Sequence, residues 1–205
     1  MATLSPPPPD LRRFPRRTLR ATTDLFRVHP RGLGPWWFAS EGAGRFDLSP
    51  PEGTCYLARS PLGSFVEVFR DFRVVAEADV VARVLSRLRV ATDAVLADCT
   101  SPRALAFGVT AAVHSTPDYE TTRGWAAALH RHGHAGIRYF CGHDPSQREV
   151  GVALFGAAGE ARWPVVETGA VGDDVIRAVE RRFGIWVLPA PVQRGRGEHS
   201  ESTGV

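Results

Sequence analysis

Residues 54–70 read TCYLARSPLGSFVEVFR, and the spacing of their apolar residues changes partway along. Thr54 to Ala58 is a short strand-type run. Ser60-Pro61 then joins a residue suited to a helix N-cap to a proline suited to the first turn, and Leu62, Phe65, Val66 and Phe69 share one helical face. A strand that passes directly into a helix anchors the reading of the neighbouring segments. Upstream, Leu25 to His29 alternates like a strand and leads through a Gly/Pro loop, Pro30 to Pro35, into Trp36, Trp37 and Phe38. Downstream, Val80 to Val90 places apolar residues mainly at every second position. The Val84-Leu85 pair there leaves strand and helix both open, with strand favoured.

Pro102 to Ala112 reads as helix. Tyr119 to His132 reads more clearly so, with Trp125, Ala128 and Leu129 at helical spacing and Gly133 as a stop. Ile137 to Cys141 and Val150 to Phe155 are short apolar strands separated by a turn-like His143-Asp144-Pro145-Ser146. Asp173 to Phe183 is a last helix before the strand-like Ile185 to Leu188. Strands and helices interleave without regular βαβ spacing, which predicts an α+β domain with a mixed sheet and flanking helices. There is no internal repeat.

The 205 residues suit one domain. Residues 1–20, with a polyproline run at Pro6 to Pro9, read as a disordered Pro/Arg arm. Residues 21–192 read as the domain and 193–205 as a disordered polar tail. No apolar run approaches the roughly 18 residues of a membrane span, so no membrane association is expected. The first residues lack the apolar stretch of a secretory signal, so the expected location is the cytoplasm. Cys55, Cys99 and Cys141 are widely spaced and form no CxxC, which predicts free thiols rather than disulfides or a cysteine-rich zinc site.

The net charge of +3 is concentrated at the start of the chain. Five arginines against Asp10 give residues 1–20 a net +4, which leaves the body at −1. A near-neutral body makes direct nucleic-acid binding an unfavoured reading, and the arm is read as solvated. All 25 basic residues are arginine. Without lysine there is no Walker A loop, no Schiff base and no SxxK nucleophile, and anions fall to the planar fork of arginine. The chain also lacks HExxH, GxSxG and a GxGxxG following a strand. His130, His132 and His134 fall at a helix end, where favourable cations explain them better than zinc, so no metal is called for.

The densest group of candidate residues is Arg27 to Glu67. It contains Arg27 and Arg45 in or beside turns, Tyr56 in an apolar strand and Glu67 among Phe65, Val66, Val68 and Phe69. The spacing leaves two roles open for Glu67, a site carboxylate or part of a solvent stripe through positions 64, 67 and 71.

In order along the chain, Leu25-Phe26-Arg27-Val28-His29, Gly44-Arg45-Phe46, Cys55-Tyr56-Leu57-Ala58, Phe65-Val66-Glu67, Tyr119 to Ala126, Gly136-Ile137-Arg138-Tyr139 and Val152 to Phe155 resemble the RES domain family, named for arginine, glutamate and serine positions. The resemblance implies an ADP-ribosyltransferase-like fold and cleavage of the nicotinamide–ribose bond of NAD by phosphorolysis or hydrolysis. Inorganic phosphate is then a co-substrate in the first case. Transfer of ADP-ribose to a protein, or NAD binding without turnover, are the other outcomes the same site allows. Glu67, Tyr56 and Arg45 become the implied catalytic residues, and Arg27, Arg45, Tyr56 and Cys141 the implied NAD-binding set. Cys141 stands where the family commonly has serine, and Gly142 stands where an arginine is frequent. A small Xre-type antitoxin is the implied partner, and homo-oligomerisation is left open.

Overall fold

The computed structural model describes residues 4–189. The first half of the chain forms β1 (Arg16–Leu19), β2 (Leu25–Pro30), β3 (Trp37–Phe38), β4 (Glu52–Ala58), α1 (Pro61–Phe69), β5 (Val74–Ala76), α2 (Glu77–Val81), β6 (Arg83–Leu88) and β7 (Ala94–Asp98). After a 3-10 helix at Pro102–Phe107 come α3 (Ala112–Ser115), α4 (Tyr119–Arg131), β8 (Gly136–Phe140), β9 (Val150–Ala157), β10 (Gly159–Glu160), β11 (Val165–Gly169), α5 (Asp173–Phe183) and β12 (Trp186–Leu188). Eight strands make one sheet in the order β1-β7-β8-β9-β4-β2-β6-β11. Only β7 and β8 run parallel within it, so the sheet is mixed and the α+β class holds. Among the described residues no helix is long and apolar enough to cross a membrane.

Each face of the sheet buries its own core, as the two-residue period of β4 requires. Cys55 and Leu57 join Leu25, Trp36, Val152 and Leu154 on one side. Tyr56 packs on the other against Phe46, Trp125, Tyr139 and Phe155 beneath α4. A third cluster joins Val28 to Phe65, Phe69 and Val179 of the helices α1 and α5. The N-cap predicted at Ser60 is present, its hydroxyl accepting from the Gly63 amide at 2.9 Å. The predicted stop at Gly133 has φ +81°, a conformation that favours glycine.

Several expectations are corrected. The solvated arm is packed on the domain. Leu11 and Phe14 are buried, Trp125 Nε1 donates to the Ser5 carbonyl at 2.8 Å, and β1 pairs with β7 along its whole length. Two apolar anchors three residues apart, with arginines between and around them, show no periodicity, yet they suffice to dock the segment. Residues 77–81 are helical, so strand within Val80 to Val90 is confined to Arg83–Leu88. Pro102 to Phe107 is a 3-10 turn ended by Gly108 in the left-handed region. The sequence reading had no strand at β7 or β11. Residues 190–192, assigned to the domain, and the tail 193–205 lie outside the described residues.

Candidate active site

Pairing between β2 and β4 is confined to Phe26↔Ala58, and the two strands then part. The gap opens a cleft of about 310 Å³ lined by Arg27 and Val28 from one strand and Tyr56 and Leu57 from the other. Its remaining walls come from the 44–45 turn, α1 with the two residues that follow it, His114 of α3, Tyr139 of β8 and the adjoining 142–143 segment. A few convergent polar groups in a pocket of this size is what a small-molecule site needs.

The Gly44-Arg45-Phe46 turn shows why each residue type is present. A Cβ on Gly44 would stand 2.3 Å from Asp47 Oδ1 and 2.4 Å from the Tyr56 hydroxyl, so only glycine fits. Phe46 is fully buried and meets Tyr139 edge-on at 5.1 Å between ring centroids. Arg45, between them, is left to face the cleft. Its Nη1 donates to the Thr116 carbonyl at 2.5 Å, and its guanidinium lies 4.9 Å from the centre of the Tyr119 ring.

Tyr56 holds this turn in place. Its hydroxyl donates to Asp47 Oδ1 at 2.7 Å and accepts from the Phe46 amide at 2.8 Å, while Asp47 Oδ2 accepts from the Gly44 amide. Burial and the Asp47 carboxylate push the phenol well above its ordinary value. Tyr56 therefore offers the cleft a ring face and not a transferable proton. Its hydroxyl is committed to Asp47 and the Phe46 amide.

Glu67 faces the cleft. Of the three residues proposed as a solvent stripe, Ser64 is buried and accepts from the Val28 amide at 2.5 Å. Asp71 is 73% exposed, and Glu67, at 20%, sits between them on the wall. Burial raises its pKa, against the lowering effects of the Cys141 thiol, Arg70 and Arg45. Arg70 Nη1 stands 3.7 Å from Glu67 Oε2, an ion pair at helical i,i+3 spacing.

Arg27 is anchored through Nη1, which donates to the carbonyls of Pro35 at 2.7 Å and Trp37 at 3.1 Å and lies 3.0 Å from Cys55 Sγ. Its other guanidinium nitrogens have no hydrogen-bond partner among the described residues. Three guanidiniums, from Arg27, Arg45 and Arg70, thus border a cleft that contains one largely shielded carboxylate.

Cys141 lies behind this wall. It is buried beside Glu67, and burial followed by the Glu67 charge drives its thiol far up, so it stays protonated. It touches the carboxylate rather than the cleft. At the neighbouring position a Cβ would come within 2.1 Å of the His114 carbonyl, so Gly142 has no room for the arginine frequent in the family.

The histidine run does not converge. His130 packs edge-on to Phe155, His132 Nδ1 meets the Ala128 carbonyl at 2.8 Å, and His134 is buried without partners among the described residues. Among those residues no group of three His, Cys, Asp or Glu side chains is placed to hold a metal ion.

The structure thus brings together Arg27, Arg45, Tyr56 and Glu67, which the sequence reading singled out, and sets Cys141 behind them. It adds Arg70, His114 and Tyr139, which that reading missed as site residues. Arg70 was detectable at i+3 from Glu67. His114 was not, because a four-residue helix carries no periodic signal.

Fold and cleft together define an α+β protein with a carboxylate-and-arginine pocket opened by two parting strands. Residues 24–174 match the RES domain, and the chain belongs to that family. No curated protein matches it. Among solved structures it is similar to a chain of the M. tuberculosis MbcT–MbcA toxin–antitoxin complex, at 21% identity and a TM-score of 0.59, with 75% of this chain and 86% of that chain covered. At that identity the likeness is one of fold.

Proposed function

We propose that this chain cleaves the nicotinamide–ribose bond of NAD, and that it acts as the toxin of a toxin–antitoxin pair. The observation that carries the reading is the convergence of Glu67 with Arg27, Arg45 and Arg70 on one cleft. Heterolysis of this bond leaves positive charge on the ribose while nicotinamide departs with the bonding electrons as a neutral molecule. A carboxylate fixed in a shielded pocket stabilises that charge more in the transition state than in the ground state. Guanidiniums suit the pyrophosphate, which they grip through paired N–H donors. The acceptor oxygen, from phosphate or water, then bonds to the anomeric carbon; in hydrolysis the water gives up a proton.

Glu67 fills the carboxylate role, while Arg27 and Arg45 hold the phosphates and Tyr56 supplies a ring wall. Cys141 in the serine position acts through Glu67, which it touches, and the cleft wall remains complete. Membership of the RES family and the toxin–antitoxin context of the structural relative support the toxin reading and a small Xre-type antitoxin as partner. Incubating the purified protein with NAD, with and without phosphate, tests the activity. Release of nicotinamide is expected, with a phosphorylated ADP-ribose as co-product if phosphate is the acceptor. Intact NAD under both conditions overturns the reading.

A further inference from the structure

His114 is a polar side chain of the cleft wall to which neither the sequence reading nor the proposed chemistry gives a task. It is 6% exposed and borders the same space as Glu67, Tyr139 and Gly142. Its Nδ1 accepts from the Phe140 amide at 3.3 Å. A backbone N–H only donates, so Nδ1 carries no proton and the neutral ring holds its proton on Nε2.

The ring's position is fixed from several sides. Phe140 meets it edge-on at 5.2 Å, and Gly142 packs directly beneath the His114 carbonyl. Arg45, which borders the same cleft, is bonded to Thr116 two residues on. Nε2 has no hydrogen-bond partner among the described residues and is not among the fully enclosed unpaired atoms. A clamped donor with one open N–H facing a cleft is built to meet a ligand.

We propose that His114 binds the departing nicotinamide by donating from Nε2–H to its carboxamide oxygen. The inference rests on the NAD reading above and assigns the last part of that substrate. With the guanidiniums on the phosphates and Glu67 at the nicotinamide ribose, the uncharged carboxamide is the acceptor at the nicotinamide end without a partner. A neutral donor suits this place, because the nicotinamide ring of NAD is a pyridinium cation that an imidazolium would repel. Burial and the Arg45 charge keep His114 neutral, pulling it down to about 4.

The test compares inhibition by nicotinamide and by ADP-ribose in the wild type, His114→Leu and His114→Gln. Glutamine keeps an N–H donor near the position of Nε2. Nicotinamide inhibition is expected to weaken about tenfold in His114→Leu and to be largely retained in His114→Gln, with ADP-ribose inhibition unchanged in both. Unchanged nicotinamide inhibition in His114→Leu, or weakened ADP-ribose inhibition in its place, overturns the assignment.

A measurement on the wild type does not depend on how the variants fold. With 15N-labelled histidine, His114 should show the Nε2–H tautomer and a resonance that moves with nicotinamide but not with ADP-ribose. An Nδ1–H tautomer, or no response to nicotinamide, overturns it equally. If the wild type releases nicotinamide from NAD while His114 fails these tests, the NAD reading stands alone; if the wild type leaves NAD intact, both fall.

Discussion

His114 and His134 are both buried, both drawn down to about 4, and set in very different surroundings. Around His114 the neighbours that position it are paired: Nδ1 with the Phe140 amide, Arg45 with Thr116, Tyr56 with Asp47 and Phe46. What remains unpaired faces the cleft. His134, in the corner where the N-terminal segment docks on the end of α4, has neither ring nitrogen paired among the described residues, and its ring stands edge-on to Phe14 at 6.1 Å. Burial alone therefore does not mark a functional histidine. The difference lies in whether its neighbours orient it and leave one valence open to a ligand.

The comparison breaks most readily with acid. Each imidazole ordinarily titrates near 6.5 and here near 4. Between those values the unfolded chain holds protons that the folded chain does not. Stability that is fully present above pH 6.5 is therefore lost as pH falls toward 4, on the order of 3 kcal/mol per histidine. Urea denaturation at pH 7 and pH 5 should show a lower midpoint at pH 5, and an unchanged midpoint contradicts both burials. Arg45 and Arg16, the cations that act on the two rings, add to burial in the same direction.

Arg45→Gln comes next. Loss of a charge-assisted contact to phosphate should raise the KM for NAD ten- to hundredfold with a smaller change in kcat. A KM within twofold of wild type contradicts the phosphate role. Tyr56→Phe should cost about 2 kcal/mol of stability, because Asp47 and the Phe46 amide each lose a partner. Thermal denaturation reads that loss. The smallest effect is on the other side of the comparison, where His134→Leu should raise stability at pH 7 by about 1 kcal/mol by removing unpaired buried nitrogens. A destabilised His134→Leu would mean that the ring has partners after all.

The sequence made some of this legible for identifiable reasons. Ser60-Pro61 and the apolar face of α1 are local signals, and the structure has the helix at Pro61–Phe69. The four early site residues could be read because their types and order together are distinctive. β7 escaped because the partners of Ala94 to Asp98, Arg16 to Leu19 and Ile137 to Arg138, are remote in sequence. The same holds for the docked N-terminal segment, whose anchors Leu11 and Phe14 have meaning only against Trp125 and Phe107. Ser64 shows the limit of helical periodicity. It lies on the polar side of α1, yet that side faces a strand and a cleft rather than water. His114 and Gly142 are coupled by a backbone approach that no spacing rule encodes.

The most direct test of the account is a time course of NAD with Glu67→Gln beside the wild type, followed by proton NMR. Glutamine keeps the shape of the side chain and removes the charge that the oxocarbenium-like state needs. The wild type should release nicotinamide, and Glu67→Gln should do so at least a hundredfold more slowly while still broadening the NAD signals through binding. Nicotinamide release by Glu67→Gln at the wild-type rate would contradict the central claim.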